Sequence, residues 1–230
     1  MSKINIVLSP SQQIGNDCKF GDSECDHMRK IGKVVYDFLK VDNRLNVYIL
    51  PLIDKSLQRD KEYLKEIQRL SNNFIKKYGG LGYHIALHSD AFNGKARGSS
   101  TFFAKAGGKG EKMAKAIHKH VVGISKVNRG LSARPELAEV GNGIIASSVL
   151  TEVDFHDNVA GAKFIHDNIN NFANAIIDGI YEGLELKKPE PPKPSIKYIV
   201  QCGAFSTIEA AEEMQDQLIK KGFNAIIKNV

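Results

Sequence analysis

Three residues of this 230-residue chain carry side chains that can move protons or hold a cation, at places where such side chains are not the default: Glu24, His88 and Glu152. Glu152 lies in VLTEVDFHDN, among Val149, Leu150 and Val153. A carboxylate deep in an apolar run is costly unless it has a partner or a task, and perturbed carboxylates gather at functional sites. His88 closes the apolar run YHIALH and precedes a turn-rich loop, SDAFNGKARGS. Strand ends in α/β sheets are where sites collect. Glu24 opens a helical pattern, where unpaired N–H groups favour a carboxylate. Plainer readings stand beside these: a helix-start acid for Glu24 and a hydrogen-bonded core histidine for His88.

The remaining histidines divide by position. His27 follows Glu24 by three residues, so both can share one helix face; it also reads as a surface histidine. His156 sits just past Glu152, where it can orient that carboxyl, touch a substrate or stand in a solvated loop. His84 precedes His88 by four residues on one strand, and even spacing puts both on one face. His118, His120 and His166 fall on helical stretches and receive no role.

These residues need a scaffold. Runs 4–8, 46–50, 83–88, 99–104 and 144–153 have the composition of strands. Runs 24–39, 57–77, 110–124 and 159–184 repeat apolar residues at helical spacing. The alternation predicts an α/β domain over residues 1–186, a mixed central sheet flanked by helices. Residues 187–195, KKPEPPKPS, hold four prolines and read as a stiff, extended linker. Residues 196–230 read as a βαβ unit: strand 197–202, helix 207–221 capped by Ser206 or Thr207 and ended by Gly222, strand 224–228. A unit that small cannot cover both sheet faces, so it is expected to be incomplete, to dimerise or to pack on the larger domain.

Composition narrows the partners. The net charge of +6 favours an acidic one: nucleic acid, an anionic membrane or an anionic Gram-positive wall. The basic residues are dispersed and no aromatic-basic motif occurs, which argues against nucleic acid. The three cysteines, Cys18, Cys25 and Cys202, contain no CxxC pair, so neither a disulfide framework nor a cysteine zinc cage is expected. The apolar run near the N-terminus, INIVL, is too short for a signal peptide or a membrane span. The expectation is synthesis in the cytoplasm, with no membrane partner and release to any wall substrate by other means, a holin or mother-cell lysis.

In order along the chain, SECDHMRKIGKV, LHSDAFNG and VLTEVDFHDN, together with Asn128-Arg129-Gly130, resemble elements of the zinc-dependent N-acetylmuramoyl-L-alanine amidases of the amidase-3 group, over residues 3–184. The resemblance implies hydrolysis of the amide joining N-acetylmuramic acid to L-alanine in peptidoglycan, with Zn2+ as cofactor. It implies Glu24 and His88 as metal ligands and Glu152 as the catalytic general base. It further implies Asp90, Asn93, Arg129 and His156 as substrate contacts. The chain departs from the family where the first zinc histidine should stand: it reads LSPSQQIGN, similar to an SPSxQ variant of clostridial and phage-type amidases. Gln13 is the expected third ligand, with Gln12 and His27 as alternatives. Without that histidine, a catalytically inactive peptidoglycan-binding protein on the same scaffold is the other expectation. The tail, YIVQCGAFSTIEAAEEMQDQLIKKGFNAII, resembles the first half of a SPOR domain, which implies wall-glycan binding with Gln201, Gly203 and Phe205 as contacts.

Overall fold

The computed structural model describes residues 3–13, 15–18, 21–54, 56, 62–141, 143–190, 201–223 and 225–228. The chain divides into two units, residues 1–189 and 190–230. The first is built on a six-stranded sheet. Its strands are β1 (Ile4–Pro10), β2 (Leu45–Ile49), β3 (Gly82–Asp90), β4 (Ser99–Phe103), β5 (Asn128–Ala133) and β6 (Ser147–Phe155), in the spatial order β2-β1-β3-β6-β4-β5. All neighbours pair in parallel except β4 and β6, which are antiparallel. The mixed sheet flanked by helices is the expected class.

The central strands explain why the apolar runs were continuous. β3 is buried from Gly82 to Ser89, as a strand covered on both faces must be. On one face Ile6, Leu8, Ile85, Leu87, Val149 and Val153 pack with helices α1 (Glu24–Leu39), α3 (Lys109–Ser125) and α5 (Ile169–Leu184). On the other, Val7 joins Ile67 and Ile75 of α2 (Glu62–Tyr78), while Ala86 and Leu150 meet Val140 from the loop after β5. His84, His88 and Glu152 share the strand parity of Ala86 and Leu150, so they project toward this second face.

Two elements differ from the sequence expectation. β5 has no apolar alternation; it is a largely exposed edge strand held by pairing with β4, so the NRG stretch lies on a strand that periodicity does not reveal. The single helix expected over 159–184 is two helices, α4 (Val159–Asp167) and α5, divided at Asn168. The Asn168 side-chain amide donates to Phe164 O at 2.9 Å, a local bond that competes with continued helix. No helix among the described residues is long and apolar enough to cross a membrane.

In the second unit, α6 (Ile208–Lys220) forms where expected, with the Thr207 side chain accepting from Ala210 N. Residues 201–205 and 225–228 on either side carry no strand assignment, and the expected strand residues 197–200 and 224 lie outside the described residues.

Candidate functional site

The C-terminal ends of β1, β3 and β6 and the start of α1 converge. Ser23 begins α1 with a capping box: its side chain accepts from Asp26 N, and the Asp26 carboxylate accepts from Ser23 N. This fixes Glu24 in the first turn. Gly32 allows the helix to lie close to the end of β1; a Cβ there would come within 2.6 Å of the Pro10 ring. Glu24 is almost wholly buried, at 1% exposure. Its Oε1 accepts from His88 Nδ1 at 3.0 Å and from Ser89 N at 3.3 Å, and its Oε2 accepts from Asn16 at 2.6 Å. Burial pushes its carboxyl up, but the hydrogen bonds and charge of His88 and the bond from Asn16 outweigh this and hold it below the usual range.

His88 has a second carboxylate partner that the sequence did not disclose. Its Nε2 lies 3.0 Å from Glu139 Oε2, while Glu139 Oε1 accepts from Ser9 Oγ at 2.5 Å and lies 3.4 Å from His84 Nε2. Glu139 therefore ties β1 and β3 to the loop between β5 and β6. Burial alone drives an imidazole toward neutrality; the bonds to Glu139 and Glu24 win, and His88 titrates well above its usual value. Burial raises the Glu139 carboxyl, but the bonds from His84 and His88 hold it well below the ordinary carboxylate range. Glu139 sits in ARPELAEVGNG, which shows neither helical nor strand periodicity. The apolar neighbours in LAEV were the one available signal. His84, fully buried, is held by Ser71 Oγ at 3.0 Å as well as by Glu139, a hydrogen-bonded position behind His88.

Glu152 is brought beside this pair by strand register: His88 and Glu152 are direct partners in the parallel β3–β6 ladder. Its Oε2 is enclosed and has no hydrogen-bond partner among the described residues. Burial raises its carboxyl most, and the negative charges of Glu24, Asp90 and Glu139 raise it further against the opposing charge of His88, bringing it to about 8. A half-buried carboxyl with one enclosed, orphaned oxygen next to an imidazole is poised to exchange a proton.

Glu24 and His88 are spaced as zinc ligands are. Two ligand atoms on one tetrahedral zinc stand about 3.3 Å apart, and Glu24 Oε1 and His88 Nδ1 are 3.0 Å apart. The other ring nitrogen of His88 on a carboxylate is the outer support that metal-binding histidines use. Gln13 stands next in line: its Oε1 accepts from the same Asn16 amide that reaches Glu24, at 2.6 Å. Gln12 is spent elsewhere, donating to Pro51 O at 2.9 Å and accepting from Ile53 N at 3.1 Å. His27 faces away from this pair: its Nε2 is 3.1 Å from Asp22 and its Nδ1 is 3.6 Å from Cys18 Sγ. His166, to which the sequence assigns no role, lies 2.9 Å from that same Asp22 carboxylate.

The expected substrate contacts lie at or after the ends of β3 and β6 and at the start of β5. Asp90 ends β3, half-buried; burial is the main cause of its raised carboxyl. Asn93 accepts from Lys95 N and Ala96 N, shaping its own turn. The Arg129 guanidinium lies 4.9 Å from the Phe155 ring centroid. His156 is buried, with its Nδ1 donating to Ser89 O at 2.8 Å. The loop behind His88 is pinned from the end of β6. Asp157 accepts from Phe92 N and Gly94 N, and fully buried Asp154 takes Arg97 and Gly98 N. Asp154→Ala is expected to cost about 3–5 kcal/mol, because it leaves Arg97 and Gly98 N without their partner; urea unfolding monitored by circular dichroism measures this.

Residues 10–184 match the family model of N-acetylmuramoyl-L-alanine amidase, and residues 194–230 match that of the SPOR domain. No curated protein matches the chain in sequence. Among solved structures, the CwlD amidase from Clostridioides difficile in complex with the GerS lipoprotein aligns with a TM-score of 0.67 and 21% identity, covering 79% of this chain and 98% of that one. An N-acetylmuramoyl-L-alanine amidase from Clostridium difficile 630 gives 0.64 and 19%, covering 80% and 98%. The catalytic domain of the CD27L endolysin, which targets Clostridia difficile, gives 0.62 and 22%, covering 81% and 98%. At these identities the structures show a shared fold.

Proposed function

Because the chain belongs to the N-acetylmuramoyl-L-alanine amidase family, we propose that it hydrolyses the amide between N-acetylmuramic acid and L-alanine in peptidoglycan, with a zinc ion held by Glu24 and His88 and with Glu152 as the proton carrier. The observation that carries this reading is the enclosed Glu152 Oε2 beside His88, which has no hydrogen-bond partner among the described residues. When bound, the ion supplies polarisation of the scissile carbonyl and acidifies a water. Glu152 takes the proton of the attacking water and delivers it to the departing L-alanine nitrogen. Glu139 holds the ring of His88 in one orientation, and Asn16 holds Glu24 and the Gln13 amide, the third donor of this proposal. Asp90, Asn93, Arg129 and His156 border the site where glycan and peptide would lie, with exposed Arg129 offering a cation to peptide carboxylates. The SPOR-matched tail adds wall-glycan affinity through Gln201, Gly203 and Phe205, the last partly exposed.

A second reading, a wall-binding protein without catalysis, is favoured by one observation: no histidine stands in the stretch LSPSQQ at the end of β1. Digestion of purified peptidoglycan separates the two. The amidase reading expects new L-alanine N-termini by mass spectrometry. It also expects their loss on treatment with a chelator such as 1,10-phenanthroline and recovery on adding Zn2+. Binding to the wall without new N-termini at any zinc concentration supports the second reading.

A further inference from the structure

We propose that Asp22, His27 and His166 form a second metal centre, for a divalent transition ion such as zinc, distinct from the Glu24–His88 site. One atom of each residue meets the others: Asp22 Oδ2, His27 Nε2 and His166 Nδ1 all lie within 4.8 Å of one another. Asp22 Oδ2 is 3.1 Å from His27 Nε2 and 2.9 Å from His166 Nδ1. Two ligands on one tetrahedral zinc are about 3.3 Å apart, so small side-chain movements suffice to seat an ion among the three.

The chemistry selects the ion class. Two imidazoles and one carboxylate suit zinc and its first-row neighbours, whereas calcium and magnesium take all-oxygen sets. His27 is fully buried, and its far ring nitrogen, Nδ1, lies 3.6 Å from Cys18 Sγ, which leaves Nε2 to face the centre. Asp22 and His166 have side chains 31% and 40% exposed, so the centre opens to solvent on one side. Among the described residues Lys30 also pairs with Asp22, its ammonium 3.4 Å from Oδ2 and half exposed, able to swing outward.

The two centres point in different directions from one helix. Glu24 reaches His88 on β3, while His27, three residues on, reaches His166 in the last turn of α4. An ion here would tie the segment before α1 to α4. That segment holds Asn16 and Gln13 against Glu24. The centre is therefore a clasp on the scaffold, with no part in proton transfer.

The count of bound metal tests this. The full chain is stripped with chelator, dialysed against excess zinc, then freed of loose ion, and retained zinc is measured by mass spectrometry. His88→Ala, which removes the sheet-end pair, is expected to keep one equivalent, and His88→Ala combined with His166→Ala to keep none. In the unsubstituted background, His166→Ala is expected to retain one equivalent fewer, and Asp22→Asn the same. Zinc should raise the melting midpoint of His88→Ala and leave that of the double variant unmoved. Equal zinc in His166→Ala and the unsubstituted chain overturns the proposal, as does a folded His88→Ala chain that retains none. The single variants at Asp22 and His166 keep the test open if His88→Ala fails to fold. Because the His88→Ala count reads this centre alone, failure of the sheet-end zinc reading leaves it intact.

Discussion

Glu152→Gln is expected to abolish peptidoglycan hydrolysis, by about 100- to 10,000-fold, while leaving the fold intact and stabilising the metal-free protein at alkaline pH. Both effects come from one carboxyl. Its Oε2 is enclosed and unpaired, so the amide replaces it without breaking a bond. The group that shuttles the proton is nonetheless gone. The folded protein raises this carboxyl to about 8 from 4.5. A raised pKa means that the native state favours the protonated form. The corresponding stability is fully present below 4.5 and is lost as pH rises through about 8. In chelator, the melting midpoint of the unsubstituted chain should therefore fall relative to Glu152→Gln across that interval. Release of dye from labelled peptidoglycan reads the first effect, and melting curves across pH read the second. Lysis that survives the substitution removes Glu152 from the mechanism.

Glu139→Ala is expected to destabilise the fold by about 3–5 kcal/mol. It leaves His88 buried with one carboxylate fewer, strands Ser9 Oγ and leaves His84 with Ser71 alone. Glu139→Gln is the gentler probe. It keeps the volume and one acceptor, and it should weaken zinc retention and activity by about 10- to 100-fold through looser control of the His88 ring. The pH signature runs opposite to that of Glu152. The folded protein holds the Glu139 carboxyl well below its ordinary value of 4.5, so its contribution is present above 4.5 and fades as pH falls toward the folded value. The stability gap between Glu139→Gln and the unsubstituted chain should accordingly narrow in acid. An unchanged gap, or full activity with full zinc retention, would show that His88 does not depend on Glu139.

The sequence disclosed this site unevenly, for physical reasons. Glu24, His88 and Glu152 stood out because each broke a local pattern: an acid at a helix start, a histidine at a strand end, an acid in an apolar run. The structure brings all three together. Glu139 broke no pattern, because a loop has none to break, and its three partners come from two strands far away in sequence. His166 was passed over for the same reason: its acid lies 144 residues away, on the segment before α1. His27 was read as sharing a helix face with Glu24, and it does lie one turn on, but its ring turns to Asp22 instead of His88. The central strands and helices were legible because burial on both faces or one stripe imposes a period. The edge strand β5 and the break at Asn168 were not, since the first rests on pairing to β4 and the second on one side-chain amide.

The pairing of His88 with Glu152 sets a rule for how this chain can tolerate change. Both residues owe their meeting to the phase of two strands, and strand side chains alternate sides with each residue. Loops around the sheet can lengthen or shorten freely in that respect. A single residue inserted inside β6 ahead of Thr151 would either rotate Glu152 to the opposite face or be expelled as a bulge. The reading frame of the β3–β6 ladder is thus as much a part of the chemistry as the residues it carries, and indels in β6 should be far less tolerated than point substitutions there.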